Sequence, residues 1–189
     1  KHVGNNLLWV RAFSKEYNPL MLIKVFNILK KKHPSLKLNI VGTGPMHDEM
    51  KSLLIDKFST DVNFLGRVSN DQLIELHNKS DIFINTTNVD NQPVTVLEAM
   101  ASGIPVVSTN VGGIPNIIQP GINGMLCGSN DIEGMVQNIE SLLKSKSLVS
   151  TLSSNGRINI EDKFGPKIIY NKWIKLYSSL GFDILKQIN

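Results

Sequence analysis

Two carboxylates, Asp90 and Glu98, stand in a stretch that reads DIFINTTNVDNQPVTVLEAMASGIPVVST from Asp81 to Thr109. Asp90 lies in a polar loop, Asn85 to Gln92, that gives way to Pro93. The fixed φ of proline suits the first position of a helix, and its missing N–H is no loss there. A helix N-terminus carries unpaired amides and a partial positive charge, so the N–H groups of Val94, Thr95 and Val96 could hold a phosphate. Glu98 lies one turn in, and a helical side chain leans back toward the N-terminus. Its carboxylate therefore reaches the hydroxyls of whatever is bound. Asp90 faces the mouth of the same crevice. Two carboxylates beside a phosphate-binding helix end suit a ligand with both phosphate and hydroxyl groups.

The elements that must position these groups are legible around them. Ile82-Phe83-Ile84 reads as a buried strand, and Val94, Leu97 and Ala101 fall on one face of the helix. Gly103 ends that helix, and Pro105-Val106-Val107 opens the next strand. Strand, loop, helix, strand is the unit of a parallel α/β sheet.

This stretch resembles the donor-binding half of the retaining glycosyltransferases of the GT-B architecture, the glycosyl transferases group 1 family. The family pattern is Glu, seven residues, Glu, running into Leu-Glu-Ala-Met-Ala-x-Gly-x-Pro-Val-Val. Its second part stands here unchanged from Leu97 to Val107, and Asp90 replaces the first glutamate. The resemblance implies a nucleotide-diphosphate-sugar donor, of UDP or GDP type, with neither cofactor nor metal. It implies that Glu98 grips ribose hydroxyls and that the carboxylate at Asp90 is catalytic. Near the sugar, that carboxylate would stabilise the positive charge of an oxocarbenium-like state.

From the amino end, Leu7 to Val10 reads as a strand with Arg11 at its carboxyl end, where ligands bind in open α/β sheets. The resemblance implies that Arg11 contacts the donor diphosphate, followed by a lysine several residues on. Tyr17 occupies that place, and Lys15 is the nearby substitute. Asn18-Pro19 caps a helix reaching about Lys32, with Leu22, Val25, Phe26 and Leu29 toward the sheet and Lys24, Asn27 and Lys31 toward water. Leu36 to Val41 is the second strand, and it ends in Gly42-Thr43-Gly44-Pro45 before a helix from Met46 to Lys57. Such a glycine turn lets a backbone approach closely. A nicotinamide fingerprint would want a third glycine where His47 stands and an acid ending the next strand, whereas Asp61 precedes it. The resemblance instead turns Gly42 and Gly44 toward the donor phosphates or sugar.

The third strand, Val62 to Leu65, runs into Gly66-Arg67-Val68. The resemblance puts the nucleotide base beside Arg67 and Val68, held largely by backbone groups. Ser69 or Asn70 caps a helix to Lys79 in which His77 reads as a surface or boundary residue. After the central unit come the glycine turn Val111-Gly112-Gly113, a strand at Gly124 to Cys127, and a helix from Asn130-Asp131. Two more helices follow. The last starts at Pro166 and carries an apolar stripe, Ile169, Trp173 and Leu176, expected to be core or interdomain packing.

Composition sets the outer bounds. The 189 residues carry a net charge of +4, and the only basic cluster is Lys30-Lys31-Lys32-His33. It closes a helix, where cations complement the dipole, and reads as a solvated helix end. No aromatic residues interleave with it, which argues against nucleic acid. Contact with the anionic inner face of a membrane is the other expectation it raises. Cys127 stands alone, which excludes an internal disulfide and fits a reducing, cytoplasmic compartment. No apolar run approaches about 18 residues, no signal peptide is read, and no Cys/His spacing suggests a metal.

The expected fold is α/β, a doubly wound parallel sheet of about six strands with helices on both faces, in one domain over 1–189. The resemblance makes it the carboxyl-terminal, donor-binding half of a retaining hexosyltransferase of polysaccharide or glycolipid synthesis. The acceptor domain would then lie amino-terminal to this chain, and the chain alone would be inactive. Two alternatives stay open: a sugar-nucleotide epimerase of the same architecture, and a non-catalytic nucleotide-sugar binding module, which the departures at Asp90 and Tyr17 keep alive.

Overall fold

The computed structural model describes residues 4–182. Six strands form one parallel sheet: β1 (Asn6–Val10), β2 (Lys37–Val41), β3 (Val62–Gly66), β4 (Ile82–Asn85), β5 (Val106–Thr109) and β6 (Met125–Cys127). Their order across the sheet is β3-β2-β1-β4-β5-β6, the doubly wound arrangement expected from the alternation of strands and helices. Seven α-helices complete the described chain: α1 (Pro19–Lys32), α2 (His47–Leu53), α3 (Asn70–Lys79), α4 (Val94–Ala101), α5 (Ile132–Lys144), α6 (Lys146–Phe164) and α7 (Pro166–Ser179).

Successive side chains of a strand point to opposite faces, and here both faces are covered. Leu7 and Trp9 of β1 join Leu22, Phe26 and Leu29 of α1 and Met135 and Ile139 of α5 in one core. Leu8 and Val10 join Phe83, Val96, Met100 and Ile160 in the other. The chain leaves β1 toward β2 on one side, and β4 returns on the other side, pairing Leu7 with Ile82 and Leu8 with Phe83. At that switch point the loops after β1 and β4 are joined, the Asn88 N–H donating to the Glu16 carbonyl (2.7 Å), and a crevice opens beside them at the carboxyl ends of β1 and β2.

Several local expectations are corrected by tertiary contacts. The helix after Gly44 stops at Leu53 rather than Lys57, and a 3-10 turn, Asp56–Asp61, follows it. The cause is Asn27 on α1, whose amide donates to the Leu53 carbonyl (2.9 Å) while its oxygen accepts the Ile55 N–H (3.3 Å). Asn27 therefore clamps a helix end instead of facing water. The lysine cluster is not simply solvated either. Lys30 is only 4% exposed, pairs with Asp61 at 2.9 Å, and donates to the carbonyls of Pro34 and Leu36. Lys32 pairs with Glu140 of α5 at 2.7 Å.

His77 is buried against Phe83 rather than at the surface, and burial depresses its imidazole from the ordinary value. Cys127 is the inert core thiol expected, its pKa pushed up to about 12 by burial and by nearby Asp131. The stripe on α7 is largely bare: Ile169 is half-buried, but Trp173 and Leu176 are exposed, with Trp173 stacked on Tyr177. No helix among the described residues is long and apolar enough to cross a membrane.

Candidate functional site

Arg11 follows β1 directly and projects into the crevice. Its Nε donates to Asn85 Oδ1 (3.1 Å) at the end of β4, and Asn85 Nδ2 in turn donates to buried Ser108 Oγ (2.9 Å) on β5. The guanidinium lies over the Tyr17 ring, 5.1 Å from its centre. One terminal nitrogen sits 3.0 Å from Asp90 Oδ2, with side-chain exposures of 10% and 16% for the pair. That nitrogen is buried yet makes no well-aligned hydrogen bond, so the contact is an ion pair with an unspent donor. Burial depresses the Arg11 guanidinium from its ordinary value, while Asp90, Tyr17 and Glu98 push it back up.

The loop that carries Asp90 is held by buried polar contacts. Trp9 Nε1 donates to Thr86 Oγ1 (3.0 Å), and that hydroxyl donates to the Tyr17 carbonyl (2.8 Å). Thr109 Oγ1 donates to the Thr87 carbonyl. On its far side the Asp90 carbonyl accepts the Gly113 N–H at 3.0 Å. A Cβ on Gly112 would stand 1.9 Å from the same carbonyl, and one on Gly113 would stand 1.9 Å from that of Asn91. The glycine turn after β5 thus seats the Asp90 loop.

Helix α4 begins one residue later than its sequence suggests. Pro93 is the N-cap, and its carbonyl accepts the N–H groups of Val96 and Leu97. The Val96 amide is therefore spent, whereas those of Val94 and Thr95 have no partner among the described residues. The helix buries Val96, Ala99 and Met100 instead of the face of Val94, Leu97 and Ala101, and Val94 is 62% exposed. Nearly every residue of α4 is apolar, so its own periodicity cannot choose a face; packing against α6 chooses it. The Thr95 hydroxyl is buried and unpartnered. Burial raises the carboxyl of Glu98, with Arg11 opposing the rise.

Arg11, Tyr17, Gly42, Arg67, Val68 and Thr95, among others, line a cavity of about 400 Å³; Asp90 and Glu98 do not line it and are linked to it through the charge of Arg11. Its first wall is the loop after β1, its second the turn after β3, its floor the N-terminus of α4. Lys15 is exposed and does not line it; the Tyr17 ring does. Gly42 lines it too, but Gly42 and Gly44 serve chiefly to bring two protein loops together. A Cβ on Gly42 would meet the Arg11 carbonyl at 1.9 Å, and one on Gly44 the Phe13 carbonyl at 2.6 Å. Gly44 instead lines a neighbouring cleft with Phe13, His47 and Phe64. Asn85, Gly112 and Gly113 were not legible as site residues, although an amide ending an apolar strand and a glycine pair are the signals they leave.

A doubly wound parallel sheet, with an arginine at the switch point and a carboxylate one turn into the helix that follows β4, defines a Rossmann-like α/β domain. More narrowly, the chain belongs to the glycosyl transferases group 1 family, whose model matches residues 3–159. It is 32% identical over 151 residues to N-acetyl-alpha-D-glucosaminyl L-malate synthase of Bacillus anthracis, covering 79% of this chain and 38% of that protein. It is 29% identical over 161 residues to the capsular polysaccharide biosynthesis glycosyltransferase CapM of Staphylococcus aureus, covering 84% of this chain and 42% of that protein. Among solved structures it is similar to an S. aureus TarM mutant in complex with fondaparinux, alpha-GlcNAc-glycerol and UDP. There the TM-score is 0.83 at 23% identity, over 93% of this chain and 36% of that one. The fold is thus that of one half of a GT-B glycosyltransferase, and the chain spans less than half the length of these relatives.

Proposed function

We propose that this chain is the donor-binding domain of a retaining glycosyltransferase, taking a UDP- or GDP-linked hexose for metal-independent transfer. One observation carries the reading: Arg11 and Thr95, each with a buried donor that makes no hydrogen bond, line one cavity at a helix N-terminus. An unsatisfied buried polar group costs about 1–3 kcal/mol, so a pair of them in one cavity is the mark of a ligand that satisfies both. A diphosphate does so, together with the amides of Val94 and Thr95. Glu98 then faces the ribose hydroxyls, the turn at Arg67 and Val68 takes the base, and Asp90 stands on the sugar side.

The acceptor belongs to an amino-terminal domain outside this chain, and the likeness to CapM favours an acceptor of polysaccharide or glycolipid synthesis. The lone thiol favours the cytoplasm, and exposed Lys31 favours peripheral contact with an anionic inner face. The test is a thermal-shift panel of UDP, GDP, ADP and their sugar conjugates. A ligand at 100 times its dissociation constant raises stability by about 2.7 kcal/mol. A rise with UDP or GDP but not with free sugars is expected, without turnover by the chain alone. A flat panel would remove the reading.

A second reading, a nucleotide-sugar binding module without catalysis, draws on the Arg11–Asp90 ion pair, which occupies the carboxylate that chemistry would need. Turnover by the full two-domain enzyme separates the two.

A further inference from the structure

We propose that Asp90 and the donor diphosphate compete for the Arg11 guanidinium, so that donor binding exchanges the Arg11–Asp90 ion pair for Arg11–phosphate contacts and turns the Asp90 carboxylate toward the sugar. The proposal rests on the donor-site reading above and adds an order of events to it. Arg11 is anchored by the edge that does not face Asp90: Nε is held by Asn85, and the Tyr17 ring supports the plane from below. Its terminal nitrogen meets Asp90 at 3.0 Å but out of line for a hydrogen bond. That contact is held by charge alone, and a phosphate oxygen aligned with the N–H makes the stronger bond.

Charge counting points the same way. Asp90 and Glu98 both act on Arg11, so the buried cation is already outnumbered by carboxylates. Adding a diphosphate against the same guanidinium with both carboxylates still facing it would crowd like charges in a poorly solvated space. One carboxylate must give way. Glu98 is fixed to the body of α4, whereas Asp90 stands on a loop outside it. The loop itself need not move, because the Asp90 carbonyl is pinned by Gly113 and only the side chain has to rotate. Rotation away from Arg11 is what makes the carboxylate available to chemistry, so Asp90 becomes competent only when a diphosphate has replaced it.

Calorimetric titration of the chain with UDP and GDP, and with uridine and guanosine as controls, tests the exchange. Removing the competitor in Asp90→Asn should tighten diphosphate binding by about tenfold while leaving nucleoside binding unchanged. Asp90→Glu, which keeps the charge, should stay near the wild-type affinity. If Asp90→Asn binds the diphosphate no better than wild type, or more weakly, Asp90 merely holds Arg11 in place and the exchange is overturned. Should Asp90→Asn fail to fold, Asp90→Ser carries the same expectation. If the wild-type chain binds none of the four probes, the donor-site reading itself falls, and that outcome is distinct from a wild type that binds while its variant fails to tighten.

Discussion

Gly112 and Asp90 touch through their backbones: Gly112 adopts φ +54°, and a Cβ there would lie 1.9 Å from the Asp90 carbonyl. Gly103 also has a positive φ, +69°, but nothing lies within 4 Å of its missing Cβ. The two glycines separate backbone strain from collision. Gly103→Ala should cost about 1 kcal/mol, the left-handed penalty alone. Gly112→Ala should cost at least about 2 kcal/mol and also weaken nucleotide binding, since the loop of Asp90 has to shift. Urea unfolding and UDP titration of both variants check this, and equal costs would mean that the loop relaxes freely.

Glu98 and Asp90 should part in kinetics. Loss of one charge-assisted hydrogen bond in Glu98→Gln should weaken nucleotide affinity by about ten- to a hundredfold. Because burial raises the Glu98 carboxyl, its affinity should also begin to fall at a higher pH than for an ordinary carboxylate. In the full two-domain enzyme, Asp90→Asn should instead lower kcat by on the order of a hundredfold, as for loss of one electrostatic stabiliser. Near-normal turnover in Asp90→Asn would identify the carboxylate as a loop and Arg11 partner only.

Lys30 and Lys31 are neighbours with unlike fates. Removing Lys30 as Lys30→Met strands Asp61 and leaves the Pro34 and Leu36 carbonyls without their donor, a cost of roughly 3 kcal/mol. Lys31→Met, at an exposed position, should stay within about 0.5 kcal/mol. Denaturant melts of the two variants settle the comparison.

His77 makes a pH signature. Its folded pKa is lowered by burial, so between that value and about 6.5 the unfolded chain binds the extra proton. Stability is therefore fully present above the unfolded value and declines as pH falls through this window. His77→Leu should flatten the decline that sets in below about pH 6.5. An unchanged slope would assign it to other groups.

The sequence by itself determined the strands, because buried parallel strands are continuous apolar runs bounded by turn residues, and it determined the capped helices, whose signals lie within one turn. It also marked the helix end with Asp90, Thr95 and Glu98, since those residues are close along the chain. What it could not contain is the strand order. Only the return of β4 to the free side of β1 brings Asn85 and Asp90 to Arg11, and only the adjacency of β5 brings Gly112 beneath the Asp90 loop. The same holds for Asn27 at the end of α2, for Lys30 on Asp61, and for the buried face of α4. Each is a choice between locally equivalent options, polar group in water or polar group paired, one apolar face or another. Those choices are made by what a second element presents at close range, and that element is distant in the chain.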